Sequence, residues 1–479
     1  MPGHQWSVGT FRLGTVLCLA LGAASSGCAS FSPDGGINAV SAVVAPELRA
    51  DVAKVSTEED AADANARTLQ LLKSPLSVET AVRVALLNNK GLQSAFNELG
   101  IAEAVMVEAS LPPNPTFSLS RISTPVELDI ERRIVADILA LATLPTRAQI
   151  AADRFRQAQL RAAEETLHVG AETRRSYYQA VAALQLVAAL TQAASAAETS
   201  ARLAKQLAET GAMNKLDLAR EDAFHADLVT QFEAARQRAG RARERLVRSM
   251  GLWGHDLSFK LPQTLPALPK RPRTLLSVEA DAVRRRVDLQ IARIELDALA
   301  KSYGLTTATR FINLLEVAGV SRTQRESGGT SGTGGGIEVD FQIPIFDFGE
   351  VRLRKAGETY MQAVNRLTAK AVNVRSEARE AYQAYRSSYQ MADHYRSEVL
   401  PVRKIISDEM MLRYGAMQID VFPLLTEAQR RMAANIAAIE AQKDFWLAST
   451  DLDAAVVGGG LASGDSAARA TANAPGTGD

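Results

Sequence analysis

The side chains best suited to metal binding or acid–base chemistry are few and scattered in this sequence. Five histidines stand at His4, His168, His225, His255 and His394, without His-Glu-x-x-His spacing or a cysteine cluster, so they do not converge on a zinc site. Met213 and Met417 fall at matching places in an internal repeat, with Met410 and Met411 near the second. Soft thioethers can take copper(I) or silver, although methionine at a hairpin end is more often adaptable packing. The glycine-rich residues 328–336 are not followed by Gly-Lys-Ser/Thr and read as a flexible loop, not a phosphate cradle. The chain is therefore expected to be no enzyme and to hold no resident metal or cofactor.

The cysteines carry a different chemistry. Residues 13–24 are an apolar run followed by Ser25, Ser26, Gly27 and Cys28, so residues 1–27 read as a signal peptide. Ser26-Gly27-Cys28 resembles a bacterial lipobox, with Ser25 where leucine is usual; a plain secretory signal with an incidental cysteine is the simpler alternative. Cys18 leaves with the signal, so Cys28 is the lipidation candidate, the bearer of palmitate, and the mature chain can form no internal disulfide. Ala29 and Ser30 provide no aspartate of the kind that retains lipoproteins at the inner membrane, which points to the outer one.

Composition narrows the class. Lys+Arg and Asp+Glu both number 54, so the chain lacks the basic footprint that nucleic acid requires. An apolar content of 47% with only 5% aromatics favours alanine- and leucine-rich helices over sandwiches.

The elements repeat. Leu76-Ser77-Val78-Glu79 recurs as Leu276-Ser277-Val278-Glu279, and Gly211-Ala212-Met213 recurs as Gly415-Ala416-Met417. Arg175-x-x-Tyr178-Gln179-Ala180 recurs as Arg379-x-x-Tyr382-Gln383-Ala384, at the same offset of 204 residues as the glycine pair. Such ordered matches indicate duplication. The chain divides into a lipidated, mainly extended N-terminal segment (28–73), a first repeat (74–256), a Pro-rich linker (257–274), a second repeat (275–457) and a disordered tail (458–479). Ser77 and Ser277 are suited to cap the opening helices, the first of about 30 residues and stopped by Pro112-Pro113.

Within each repeat the opening helix gives way to two strands, expected at about 116–123 and 133–144, then at about 308–321 and 337–345. Ile337, Val339, Phe341, Ile343 and Ile345 alternate with Glu338, Asp340, Gln342 and Pro344, which places the apolar set on one face. About nine residues suit a tilted membrane strand, although an amphipathic strand on a soluble core has the same period. Helix length separates the two readings. Long hairpins are expected over 146–250, broken at Gly211, and over 350–455, kinked at Pro401. Residues 146–208 as one helix would extend on the order of 95 Å at about 1.5 Å per residue, more than a compact body needs. Ala158, Ala162, Ala193, Ala197 and Ala201 allow close lateral packing of such rods.

These residues resemble a known family. Leu76-Ser77-Val78-Glu79-x-Ala81-x-x-x-Ala85-Leu86-x-Asn88-Asn89, Pro344-Ile345-Phe346-Asp347-Phe348-Gly349, Val399-Leu400-Pro401 and Tyr414-Gly415 before Asp420-Val421 are similar to segments of TolC-like outer-membrane efflux proteins. The resemblance implies a mostly α fold with a small β part, in which duplicated helical hairpins form a trimeric α-barrel. Each protomer would give four strands to a twelve-stranded transmembrane β-barrel. It implies a homotrimer in outer-membrane lipid, served by a periplasmic adaptor and an inner-membrane pump, and places a periplasmic gate at the hairpin tips. Gly211, Asp217, Arg413, Tyr414, Gly415 and Asp420 are the gate candidates. The acidic residues would attract cations at the constriction; helix capping explains them equally well. A spacing from Gly415 to Asp420 one residue short of the family's, with Pro423 in place of a second acid, departs from the pattern. The competing class is a periplasmic coiled-coil adaptor or scaffold, which would need a compact soluble β-domain.

Overall fold

The computed structural model describes residues 30–254, 258–312, 314–326 and 328–458. The predicted signal peptide, Cys28, His255 and the tail from residue 459 lie outside the described residues.

Among the described residues, sixteen elements follow one another. Helices α1 (Ile37–Leu48), α2 (Glu58–Leu72), α3 (Val78–Asn88) and α4 (Lys90–Ser110) lead into β1 (Thr116–Ser123) and β2 (Glu127–Asp137), then α5 (Ile138–Glu209) and α6 (Lys215–Ser249). The second half repeats the plan: α7 (Val278–Arg285), α8 (Val287–Ala308), β3 (Leu314–Glu326), β4 (Ser331–Gln342), α9 (Glu350–His394), a π-helical turn (Tyr395–Val399), α10 (Leu400–Gly415) and α11 (Val421–Val457).

Several boundaries differ from the sequence reading. The segment before residue 73 is not extended but carries α1 and α2; α2 opens on a capping box in which Thr57 accepts from the Asp60 amide while Asp60 accepts from the Thr57 amide, satisfying two free donors. The expected single opening helix breaks at Asn89, whose backbone turns to the extended region and whose Oδ1 caps the Leu92 amide at 3.1 Å. Ser77 caps α3 through the Thr80 amide, as expected. Ser277 makes no such bond; its hydroxyl donates to Asp281 instead.

The second strand ends at Asp137, not near residue 144, because Asp137 Oδ1 accepts from the Ala140 amide at 2.8 Å and starts α5 there. Pro145 is thereby inside the helix. The third strand begins at Leu314, since α8 continues to Ala308. The expected loop at 328–336 is largely strand, because residues from Ser331 pair with β3 up to Arg325. Near Pro401, which has no amide to donate, the distortion is the π turn of residues 395–399 just before it. Such turns take up an extra residue within a helix.

The chain forms two compact units. One is built of Glu98–Gln159, Ile291–Leu367 and the described part of Met1–Gly36; the other of Ile37–Asn97, Leu160–Gln290 and the described part of Thr368–Asp479. In the first, the four strands form one antiparallel sheet in chain order. Helical parts of this unit are tied by Lys301 to Asp153, a 6%-exposed carboxylate, and by stacking of Tyr303 on Tyr360.

The second unit carries a packed aromatic and aliphatic core. Leu76, Val84, Tyr177, Tyr178, Leu246, Met250 and Leu252 pack together, and Tyr178 stacks on Trp446 while Phe445 meets Tyr385 and Tyr389. The Pro-rich linker is held by side chains of the long helices. Trp446 Nε1 donates to the Pro266 carbonyl at 3.0 Å, Tyr389 to Pro269 at 3.1 Å, and Tyr385 accepts from the Arg273 amide at 3.0 Å. A proline-rich segment cannot satisfy itself by a ladder, so these groups do it.

A candidate conduction pathway

The sheet is amphipathic across its thickness. Strand register aligns Phe117, Ile134, Gly319 and Ile337 in one row, with Ala136, Val317 and Val339 in a neighbouring row. Side chains two apart share a face, so Leu119 and Phe341 join this side, interrupted by Arg132 opposite Leu119. The apolar side chains are open: Phe117, Leu119, Ile134, Ile337, Val339 and Phe341 are all more than half exposed.

The other face is charged and internally paired. Arg133 bonds Asp340 at 2.6 Å and Glu338 at 3.2 Å, and Arg322 Nε donates to Asp129 at 2.8 Å. Carboxylates on β4 and β2 thus meet guanidiniums on β2 and β3. The predicted alternation along β4 is present for Ile337, Val339 and Phe341, whereas Ile343 and Ile345 lie beyond the strand end at Gln342, still exposed.

Leaving β4, the chain turns sharply into α9. Phe348 and Gly349 both have positive φ, and a Cβ on Gly349 would stand 2.3 Å from the Arg310 carbonyl oxygen. Only glycine fits there. Arg310 fixes the turn by donating to the Phe348 carbonyl at 2.9 Å and to Glu350 at 2.6 Å.

Two hairpin tips join α5 to α6 and α10 to α11. The first is closed by Gly211 at φ 77°, with the Ala212 amide donating to the Leu207 carbonyl at 2.8 Å, a left-handed helix end of Schellman type. Asn214 then caps α6. Its Oδ1 accepts from the Asp217 amide at 2.9 Å, and its Nδ2 donates to the Asp217 carboxylate, which also pairs with Arg220 at 3.1 Å.

The second tip has the same backbone but a different register. Here the left-handed residue is Met417 at φ 56°, with the Gln418 amide donating to the Arg413 carbonyl at 2.9 Å. Gly415, which the sequence repeat aligns with Gly211, remains inside α10. Met417 therefore takes the place of Gly211, two positions later than the repeat suggests. Met213 and Met417 are not equivalent either: the first is buried and the second is 94% exposed.

The two aspartates expected at the gate differ correspondingly. Asp217 belongs to a local capping network, whereas Asp420, the N-cap of α11, is exposed and makes no side-chain cap bond. Arg413 pairs with Glu409 at 3.0 Å on its own helix, and Tyr414 is 41% exposed.

Two buried carboxylates of the returning helices escaped the sequence reading. Glu221 and Glu427 each lie seven residues beyond the N-cap of a returning helix and are 7% and 2% exposed. Glu221 accepts from Ser200 Oγ at 2.9 Å. Glu427 is held by Arg403 through both oxygens, at 3.1 and 2.9 Å. Spacing was the available signal: Glu221 precedes buried Leu228, Ala235 and Ala242, and Glu427 precedes buried Ala434 and Ala441, a seven-residue seam in which the acid occupies an apolar position.

Long duplicated helical hairpins joined to a short amphipathic sheet define the fold of TolC-like outer-membrane channels. The solved structures it matches include the outer-membrane channel CmeC of Campylobacter jejuni, with a TM-score of 0.67 and 18% identity over 82% of this chain and 88% of that one. The outer-membrane channel OprN matches at 0.66 and 17%, covering 82% of this chain and 92% of the other. The open-state MtrE outer-membrane channel of Neisseria gonorrhoeae matches at 0.65 and 16%, covering 80% and 89%. No protein-family model and no curated protein matches the sequence. At these identities the likeness is one of fold.

Proposed function

We propose that the chain is the outer-membrane channel subunit of a tripartite efflux or export system, conducting cargo passively across the periplasm and outer membrane. The observation that carries this reading is the four-stranded sheet, with an exposed apolar face, a charged face and two unpaired edges. In lipid an open edge costs several kcal/mol for each unpaired N–H or C=O. Closure must therefore come from further copies. Three protomers give twelve strands, within the range of bacterial barrels, which begin at about eight. The apolar face then meets lipid and the charged face water.

In this assembly the hairpin tips form the periplasmic gate. Asp420, unpaired and at a helix N-terminus, contributes an acidic ring; Asp217 serves mainly its helix cap. Cys28 carries the acyl anchor, a periplasmic adaptor docks on the helical part, and an inner-membrane pump selects the cargo. The adaptor or scaffold alternative fits poorly with a sheet that exposes Phe117, Leu119, Ile337 and Phe341 on one side.

The test is reconstitution. Protein purified in detergent should run as a trimer by native mass spectrometry and open channels in planar bilayers. A water-soluble monomer without channel activity would reject the proposal.

A further inference from the structure

Glu103 lies in α4 with 4% of its surface exposed. Burying a carboxylate is unfavourable unless it is well hydrogen-bonded, and among the described residues Glu103 makes no ion pair. Among the described residues, Ser32 supplies two donors to it. The Ser32 amide donates to Oε1 at 2.6 Å and the Ser32 hydroxyl donates to the same oxygen.

The residues that follow are shaped to this contact. Gly35 and Gly36 both have positive φ, and the Gly35 Cα region lies within 4.0 Å of Glu103 Oε2 for an added Cβ. A Cβ on Gly36 would stand 2.9 Å from Phe155 Cζ and 3.1 Å from Gln159 Nε2. Ser32, Gly35 and Gly36 thus turn tightly against α4 and the start of α5, all within the first unit. A buried acid and two left-handed glycines are more than an unspecific leader segment requires.

We infer that Glu103 is a positioning residue for the membrane anchor: it clasps the chain four residues after Cys28 to the helix that leads into β1. Four residues reach at most about 14 Å at 3.3–3.6 Å each. An acyl group on Cys28 is thereby tethered within that reach of Ser32, in the unit that carries the sheet. This inference rests on the proposed acylation of Cys28, whereas the clasp itself does not.

The experiment compares full-length wild type with Glu103→Leu, Gly36→Ala and Ser32→Ala in cells fed an alkyne palmitate analogue. Purified proteins are then exposed to proteinase K and followed by mass spectrometry. Glu103→Leu removes the acceptor, Gly36→Ala strains the turn without touching it, and Ser32→Ala removes one of two donors. The expected result is cleavage within residues 29–36 about tenfold faster in the first two variants, and less so in the third, as for loss of charge-assisted hydrogen bonds. Palmitate incorporation should be unchanged. Cleavage at the wild-type rate in both Glu103→Leu and Gly36→Ala would overturn the clasp; should Glu103→Leu fail to fold, Gly36→Ala and Ser32→Ala decide. Absence of label in the wild type would overturn the anchor reading separately.

Discussion

The guanidinium of Arg403 sits 3.1 and 2.9 Å from the two carboxylate oxygens of Glu427, joining α10 to α11 above the second hairpin tip. The equivalent acid in the first hairpin, Glu221, has the Ser200 hydroxyl and, among the described residues, no ion pair. One hairpin is braced by charge and the other by a hydrogen bond.

The brace is asymmetric. Glu427 is 2% exposed, while the Arg403 side chain is 31% exposed, so an orphaned arginine can turn to water and an orphaned glutamate cannot. Arg403→Ala should destabilise the hairpin by roughly 3 kcal/mol, Glu427→Ala by about half as much. Hydrogen exchange of α10 and α11 amides in the detergent-solubilised protein measures both; equal effects would contradict the burial argument.

The left-handed turn residues give opposite predictions. Met417→Gly relieves a non-glycine residue at φ 56° and should slow exchange at the second tip, a gain of about 1 kcal/mol. Gly211→Ala places a Cβ at φ 77° and should loosen the first tip by a similar amount. If the two substitutions act in the same direction, the register of the tips is wrong.

Arg133 neutralises two carboxylates of one strand, Glu338 and Asp340. On the proposed water-filled side of the barrel, Arg133→Ala leaves both uncompensated. Reversal potentials in a potassium chloride gradient should shift toward stronger cation selectivity; no shift would place this face away from the ion path.

Burial pushes the Tyr177 phenol up to about 12, with Glu79 adding to the effect, and the hydroxyl donates to the Leu76 carbonyl at 3.0 Å. The folded state thus holds its proton more tightly than the unfolded chain, whose phenol titrates near 10.0. The associated stability is complete below pH 10 and is lost as pH rises toward 12. Tyr177→Phe should flatten this alkaline decline in thermal midpoint between pH 9 and 12. Tyr178, raised to about 12 chiefly by burial, leaves a residual slope.

Much of the architecture is local enough to be written in the residues themselves. The period-two run from Ile337 to Phe341, the proline-free stretch from Thr146 to Ser249, the stop at Pro112-Pro113 and the chain reversal at Gly211 each depend on backbone preferences over a few residues. The duplication needs only comparison of the chain with itself. Strand ends, the helices before residue 73 and the strand character of the glycine-rich run were less legible, because pairing partners and caps can override composition.

Tertiary structure alone decided how distant positions meet. Arg133 and Asp340 are 207 residues apart, and nothing in either neighbourhood specifies the other; only the register of three strands brings them together. Likewise the repeat aligned Gly415 with Gly211, but the hydrogen bonds closing the helix put Met417 there. Sequence determined the long helices, the alternating run of β4 and the reversal at Gly211, since those follow from short-range sterics and periodicity. Which charges are buried, paired or left open follows from long-range packing, where a shift of one or two residues changes the partner of every side chain.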